Sequence, residues 1–324
     1  MKTILVTGSA GFIGFHVAKK LLENKNKVVG VDNFNSYYDV ELKKSRNKIL
    51  LQFKNFDFFQ ADITDQDYME KIFSDFKFDY VVHLAANAGV RYSVEDPYSF
   101  VMSNILGTVI LMECCSKQKQ LRHFVYASSS SVYGNNTDLP SSLNQRTDTP
   151  VSMYAATKKS TELVAEVYSY LYRIPCTGLR YFTVYGPWGR PDMALFLFTE
   201  AIMLGREVKV FNHGRMKRDF TYIDDVVKVT VKAMNTIPTE YPFHRAYNVG
   251  RGESINLLDF IKIIERATGK EANKNLLPLQ LGDPIETLSD VSELKSAFGF
   301  KPEVPVEKGV KDFVAWYKSY YGEL

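Results

Sequence analysis

The sequence predicts an α/β fold: a doubly wound parallel sheet followed by a smaller C-terminal α/β substrate domain. Three observations predict it. Short apolar runs alternate with helix-length amphipathic stretches through Tyr181. The first run feeds a turn with glycines at Gly8, Gly11 and Gly14. After Arg180 the rhythm breaks, and Gly186, Pro187, Gly189 and Pro191 crowd one segment. Buried strands alternating with helices imply a mostly parallel sheet covered on both faces.

In order, Thr3–Thr7 is the first apolar strand, and Phe12–Glu23 has the spacing of an amphipathic helix. Lys27–Val31, Phe56–Gln60, Tyr80–Leu84, His123–Ala127 and Cys176–Tyr181 continue the strands. Helical periodicity fills Asp67–Phe76, Ser103–Lys117 and Tyr154–Tyr172. Beyond the Gly/Pro loop, Val208–Phe211 reads as extended and Asn256–Thr268 as helical. Pro278, Pro284, Pro302 and Pro305 divide the tail into short elements. The expected division is residues 1–183 plus about 219–250 for one domain, and about 184–218 with 251–324 for the other. The crevice between them is the expected ligand site.

Composition narrows the function classes. A chain of 324 residues with 45% apolar content can bury a large core. A net charge of +3 is too small at this length for a nucleic-acid footprint. Cys114, Cys115 and Cys176 form no C-x-x-C pair and no metal-ligand spacing, which fits a reduced, cytoplasmic protein without a metal. The first residues already belong to a strand, leaving no room for a signal peptide. No apolar run is expected to reach membrane-spanning length.

The glycine turn carries the first chemistry. Gly8 opens a tight turn, Gly11 admits close approach of a phosphate, and Gly14 lets helix and strand pack. Free amides where the Phe12 helix begins suit a pyrophosphate. Asp32 ends the second strand, about twenty residues on; its carboxylate can accept from both ribose hydroxyls and repels a 2′-phosphate. NAD is therefore expected rather than NADP. Asp62 with Ile63 can close the adenine side, although a loop carboxylate is an equally simple reading of Asp62.

Tyr154 and Lys158 lie four residues apart on one helical face. An ammonium beside a phenol lowers its pKa, so the phenolate can take a proton from a hydroxyl while hydride leaves the same carbon. The serine run Ser128–Ser131 ends a strand, where active sites form in this architecture. A hydroxyl there can share the substrate proton.

With these residues assembled, the chain resembles the extended short-chain dehydrogenase/reductase superfamily, with its Rossmann sheet, and within it the nucleotide-sugar 4-epimerases. The likeness runs from Gly8-x-x-Gly11-x-x-Gly14 through Leu84-Ala85-Ala86, Ser128–Gly134, Tyr154–Lys158 and Arg180–Pro187 to Arg218–Asp224. It implies Ser129 as the catalytic hydroxyl, Tyr154 and Lys158 as the acid/base pair, and Arg218 as a diphosphate ligand. It also implies a cofactor wall made of Phe12, Ile13, Asn33, Asn35, Leu84, Ala85, Ala86 and Tyr181. Asn104 is expected to support the sheet beside the cofactor.

The 4,6-dehydratases of this superfamily place an Asp-Glu pair where this chain has Ser130 and Ser131, so the acids of elimination are missing. The decarboxylases place a glutamate at the position of Ser131. The stretches Ala88–Ser93 and Arg180–Ala194 resemble UDP-glucuronate 4-epimerases. The resemblance implies a UDP-sugar substrate with Ser130, Thr183, Arg91 and Arg190 around the sugar, Arg91, Thr183 and Arg190 meeting a carboxylate. In the late segment Leu279-Gln280-Leu281-Gly282-Asp283, Gln280 stands where relatives carry arginine, so the diphosphate would rest more on Arg218, with Asp283 nearby. Helices near Ser103–Lys117 and Tyr154–Tyr172 fit the family's homodimer interface, though an apolar face can equally pack inside one subunit. A neutral-sugar UDP-glucose 4-epimerase and a non-catalytic NAD sensor remain as alternatives.

Overall fold

The computed structural model describes residues 1–280 and 283–322. Seven strands form the main sheet: β1 (Thr3–Thr7), β2 (Lys27–Asp32), β3 (Phe56–Gln60), β4 (Tyr80–His83), β5 (His123–Ser129), β6 (Cys176–Tyr181) and, later in the chain, β10 (His244–Val249). Between β6 and β10 come β7 (Thr183–Tyr185), β8 (Glu207–Val210) and β9 (Lys217–Tyr222); β11 (Ser254–Asn256) and β12 (Asn273–Leu276) follow.

The order across the main sheet is β10-β6-β5-β4-β1-β2-β3, with every pairing parallel. The order reverses between β1 and β4, which opens a crevice at the strand carboxyl ends. β11-β9-β7 form a second sheet and β12-β8 a third. The chain thus leaves the main sheet after β6 and returns at β10, with the Ile223–Asn235 helix packed on Phe12–Glu23 between.

Local chemistry sets the elements. Phe12–Glu23 starts at extended Gly11 and buries Phe15, Val17, Ala18 and Leu21 against the sheet. Gly8 holds φ +70, and a Cβ there would lie 2.7 Å from the Ala85 nitrogen. A Cβ on Gly14 would sit 1.9 Å from the Gly8 carbonyl oxygen, so only hydrogen fits between helix and turn. Ser152 caps the Met153–Tyr172 helix, its Oγ accepting from the Ala155 amide at 3.1 Å. That helix ends at left-handed Arg173, just before Pro175.

Some elements differ from expectation. The region read as a helix over Ser103–Lys117 is part of a 20-residue helical run, Pro97–Ser116, that widens to a π-helix over Val101–Leu106. Contrary to the sequence reading, this run is long and apolar enough to cross a membrane. Half of it is buried in the fold and it packs on Met153–Tyr172, so it serves as a core helix. The Val40–Leu50 helix, capped by Asp39, had no counterpart in the sequence reading because its buried side includes Lys43, Arg46 and Asn47.

Gly14→Ala is expected to cost about 2 kcal/mol of stability or more, because backbone must shift to admit the methyl. Thermal unfolding measures it; a melting temperature equal to wild type would contradict the packing described.

Candidate active site

A cavity of about 1300 Å³ opens at the carboxyl ends of β1, β4, β5 and β6. It exceeds the size usual for a single drug-sized ligand, and it runs from the glycine turn to the second sheet. Gly8, Gly11, Phe12, Ile13, Gly14, Asp32, Asn33, Asn35, Asp62, Ile63, Leu84, Ala85, Ala86, Lys158 and Tyr181 line one end. Ser129, Ser130, Tyr154, Thr183, Arg190, Arg91, Arg218 and Asp283 line the rest.

At the glycine turn, the Gly11 amide donates to the Gly8 carbonyl at 2.9 Å, and no side chain caps the following helix. Its first amides are therefore available to an anion. Asp32 accepts from the Ala10 amide at 3.0 Å and the Phe34 amide at 2.9 Å. Burial pushes its pKa up, while these bonds and the charges of Lys43 and Arg46 pull it down. Asp62 accepts from Asn33 at 2.8 Å and from Thr64, which fixes the loop after β3 against the end of β2. The Gly8 and Gly14 positions, where a Cβ would collide with backbone, fit a dinucleotide.

At the catalytic end, Tyr154 and Lys158 project from the capped helix toward the end of β5. The Lys158 ammonium donates to the Ala127 carbonyl at 2.9 Å and is 4% exposed. Burial lowers its pKa to about 8. Burial raises that of Tyr154, while a hydrogen bond with Ser129 and the charge of Arg190 lower it. Ser129 and Arg190 act on the phenol, and one of the three donors of the Lys158 ammonium is taken by the Ala127 carbonyl. Ser129 also accepts from the Ser131 hydroxyl at 2.9 Å.

Three further site residues are tied into the fold as follows. Asn104 is buried and does not line the cavity; its amide is divided between Asn87, at 2.8 and 2.9 Å, and Thr157 at 2.9 Å. It steadies the wall after Ala86 and does not face a ligand. Arg91 pairs with Asp283 at 2.8 Å, lies 4.9 Å over the Phe211 ring and acts electrostatically on Arg218. It therefore lies at the Arg218 end of the cavity. Arg190 is no free fork: it bonds Asp192 at 3.0 and 2.5 Å and the Ala88 carbonyl at 3.0 Å.

Arg218 donates to the Lys217 and Ile285 carbonyls, and burial lowers its pKa. Of the late segment, Leu281 and Gly282 lie outside the described residues, while Gln280 and Asp283 line the cavity. Tyr37, Lys43 and Asp192, which the sequence did not single out, also line it, as does Ser131 of the serine run. Tyr37 donates to Asp192 at 3.0 Å and stacks on Tyr92 with centroids 4.4 Å apart. The paired tyrosines Tyr37-Tyr38 so soon after Asp32 were the available signal.

A dinucleotide turn, an acidic second-strand end and a Ser/Tyr/Lys set in one cavity define a short-chain dehydrogenase/reductase type of site. The chain belongs to the NAD dependent epimerase/dehydratase family, whose model matches residues 4–250. It is 46% identical over 98% of its length to Protein CapI of Staphylococcus aureus, covering 99% of that protein. It is 44% identical to a probable UDP-glucuronate 4-epimerase of Rhizobium meliloti, covering 98% of this chain and 97% of the relative. The fold superposes with a TM-score of 0.90 on the UDP-glucuronic acid 4-epimerase of Bacillus cereus, crystallised with UDP-glucuronic acid and NAD. That pair is 36% identical, covering 98% of this chain and all of the other.

Asp32→Ala is expected to weaken NAD binding about 10- to 100-fold, the worth of hydrogen bonds to a charged group, and to narrow the preference over NADP. Titration of cofactor-free protein with each dinucleotide measures both. For Lys158, the folded pKa lies below the unfolded one. Between about pH 8 and pH 10.5 the unfolded chain keeps a proton that the folded chain has lost, so stability from this group rises with pH. The gain is about 3 kcal/mol. Melting curves of cofactor-free wild type should show this rise relative to Lys158→Met, and parallel curves would contradict the buried ammonium.

Proposed function

We propose that this chain interconverts UDP-glucuronate and UDP-galacturonate by NAD-dependent epimerisation at C4 through a 4-keto sugar. The observation that carries the reading is the meeting of Ser129 and Tyr154 in one cavity, the serine acting to lower the phenol's pKa, beside strand-end residues, Ser130 and Ser131, that are neutral. A proton can move there, and the acids needed to eliminate water are absent from those positions.

Tyr154 takes the C4 hydroxyl proton, with Ser129 bridging the sugar oxygen and the phenol. The Gly8–Gly14 turn, Asp32 and Asp62 would hold NAD, which when bound would supply the hydride acceptor for C4. Lys158 fixes the helix register against Ala127 and carries positive charge beside the ribose end of the cofactor site. Arg218 and Arg91 supply positive charge for the diphosphate, partly balanced by Asp283. Between the two half-reactions the sugar turns over, and Tyr154 returns the proton. The buried walls keep water from the ketone.

The 4-keto acid loses CO₂ readily when its carboxylate bond stands perpendicular to the ketone plane. Thr183, Ser130 and Ser131 are neutral donors that can hold the carboxylate in a less reactive orientation. Arg190 acts mainly through Asp192 and its field on Tyr154. The neutral-sugar reading, UDP-glucose 4-epimerase, uses the same catalytic groups, and only these donors separate the two.

The division of labour follows the chain: residues 1–183 and about 219–250 hold NAD, and the remaining segments hold the sugar nucleotide. A homodimer is the expected assembly, since Leu163, Val167, Tyr170 and Leu171 on the Met153–Tyr172 helix stay more than half exposed. A cytoplasmic setting fits three buried, reduced cysteines. The product is an activated acidic sugar, suited to polysaccharide synthesis.

Tyr154→Phe is expected to lower kcat about 1000-fold while NAD binding stays intact. NMR product analysis with UDP-glucuronate reads the first, and cofactor titration the second; near-wild-type epimerisation would refute the proton role. Thr183→Val is expected to lower kcat/KM for UDP-glucuronate about tenfold and to spare UDP-glucose, as one lost hydrogen bond to a charged group predicts. Arg190→Ala should lower turnover of both sugars. Equal losses on the two sugars for Thr183→Val would favour the neutral-sugar reading.

A further inference from the structure

The turn Gly186–Gly189 is held by side chains from the other side of the molecule. Three successive carbonyls, those of Pro187, Trp188 and Gly189, are each bonded by a side chain of the first fifty residues. His16 Nε2 meets the Pro187 oxygen at 2.9 Å. Arg46 Nη2 donates to the Trp188 oxygen at 2.6 Å and the Gly189 oxygen at 3.3 Å. The turn would not hold this shape alone. Trp188 takes φ +61, the left-handed region that a bulky residue avoids, and Gly186 takes φ +145.

Arg46 is unusual in itself. It is fully buried, yet its partners are neutral: the Ala10, Trp188 and Gly189 carbonyls and the Tyr38 hydroxyl at 2.8 Å. Its Nε has no partner among the described residues. Burying a guanidinium without a bonded carboxylate is costly, so the position must serve something besides stability. Its other fork arm, Nη1, reaches the Ala10 carbonyl at 3.0 Å, inside the glycine turn. One side chain therefore ties the dinucleotide turn to the Trp188 turn.

The Trp188 turn leads directly into Arg190 and Asp192, which line the cavity. Arg190 acts electrostatically on Tyr154, so its placement matters at the reacting end. We propose that Arg46 and His16 are positioning residues: they hold the strained Gly186–Gly189 turn so that Arg190 stands beside the reacting hydroxyl. His16 suits the role because burial keeps its imidazole neutral, with a pKa lowered to about 3, so the clamp does not loosen or tighten across ordinary working pH. Its edge-to-face contacts with Phe12 and Phe15 fix the ring.

The turnover part of this proposal rests on the epimerase reading, but the clamp itself does not. His16→Phe keeps the ring packing and removes the hydrogen bond; Arg46→Met keeps an unbranched apolar stem and removes every donor. Hydrogen–deuterium exchange of the purified, cofactor-bound protein is the direct test, read at the amides of residues 186–193. Exchange there should quicken about fivefold in His16→Phe and tenfold or more in Arg46→Met, from the loss of one neutral and two charge-assisted bonds. β1 and β4 should keep wild-type exchange, Arg46→Lys should fall between, and UDP affinity by calorimetry should stay unchanged. Epimerisation should slow by about the same factors.

Wild-type exchange at 186–193 in both variants would overturn the proposal, as would equal acceleration in β1 and β4, which marks general loosening. If Arg46→Met does not fold, His16→Phe decides alone. A wild-type protein inert toward UDP-glucuronate would sink the epimerase reading and leave the exchange result to judge the clamp.

Discussion

The site depends on one buried ion pair. Glu162, on the Met153–Tyr172 helix, receives both arms of Arg180 from β6, at 2.8 and 2.9 Å. The same carboxylate accepts from Ser128 on β5 at 2.7 Å. Glu162 lies one turn after Lys158 and Ser128 lies just before Ser129, so this pair sets the register between the catalytic helix and the catalytic strand. Arg180 also donates to the Tyr133 hydroxyl at 3.0 Å, which bonds Asn248 on β10 at 2.7 Å. Removing one partner of such a pair leaves an uncompensated buried charge, typically a loss of about 3–5 kcal/mol. Two adjacent strands, a returning strand and a helix are locked around a tyrosine that must stay within reach of two ligands.

That lock explains how the fold turns into chemistry. The sheet order reverses between β1 and β4, so the carboxyl ends of β1, β2, β4 and β5 converge on one crevice. β1 brings the turn without side chains that a pyrophosphate needs. β2 brings Asp32, and β5 brings the serines. The helix brings Tyr154 and Lys158, already registered. The later segments then cover the crevice and contribute arginines, which suits an anionic sugar nucleotide.

Much of this was legible in the sequence because it follows from short-range pattern. Six strands of the main sheet are apolar runs of four to seven residues, and the glycine spacing marks the turn between two of them. Tyr154 and Lys158 needed only helical spacing. What was not legible depends on distant parts of the chain. β10 pairs with β6 across more than sixty residues, and its His244-Arg245 start reads as polar. The Val40–Leu50 helix hides Lys43, Arg46 and Asn47 on its buried side, so its apolar periodicity is weak. Arg91 and Arg190 read as arginines near a sugar, and Asp283 as a neighbour of the diphosphate, but the pairing of Arg91 with Asp283 and of Arg190 with Asp192 depends on tertiary contacts that spacing does not show. The bond from Lys158 to the Ala127 carbonyl likewise joins a helix to a strand thirty-one residues earlier, which helical spacing does not reveal.

The central claim is that the hydrogen at C4 leaves and returns inside a closed pocket while Tyr154 handles only the hydroxyl proton. The most direct measurement is epimerisation of UDP-glucuronate in D₂O, followed by NMR at C4 of the product. The account predicts UDP-galacturonate with protium at C4. Deuterium at C4 would contradict it, because the hydrogen would then have passed through solvent.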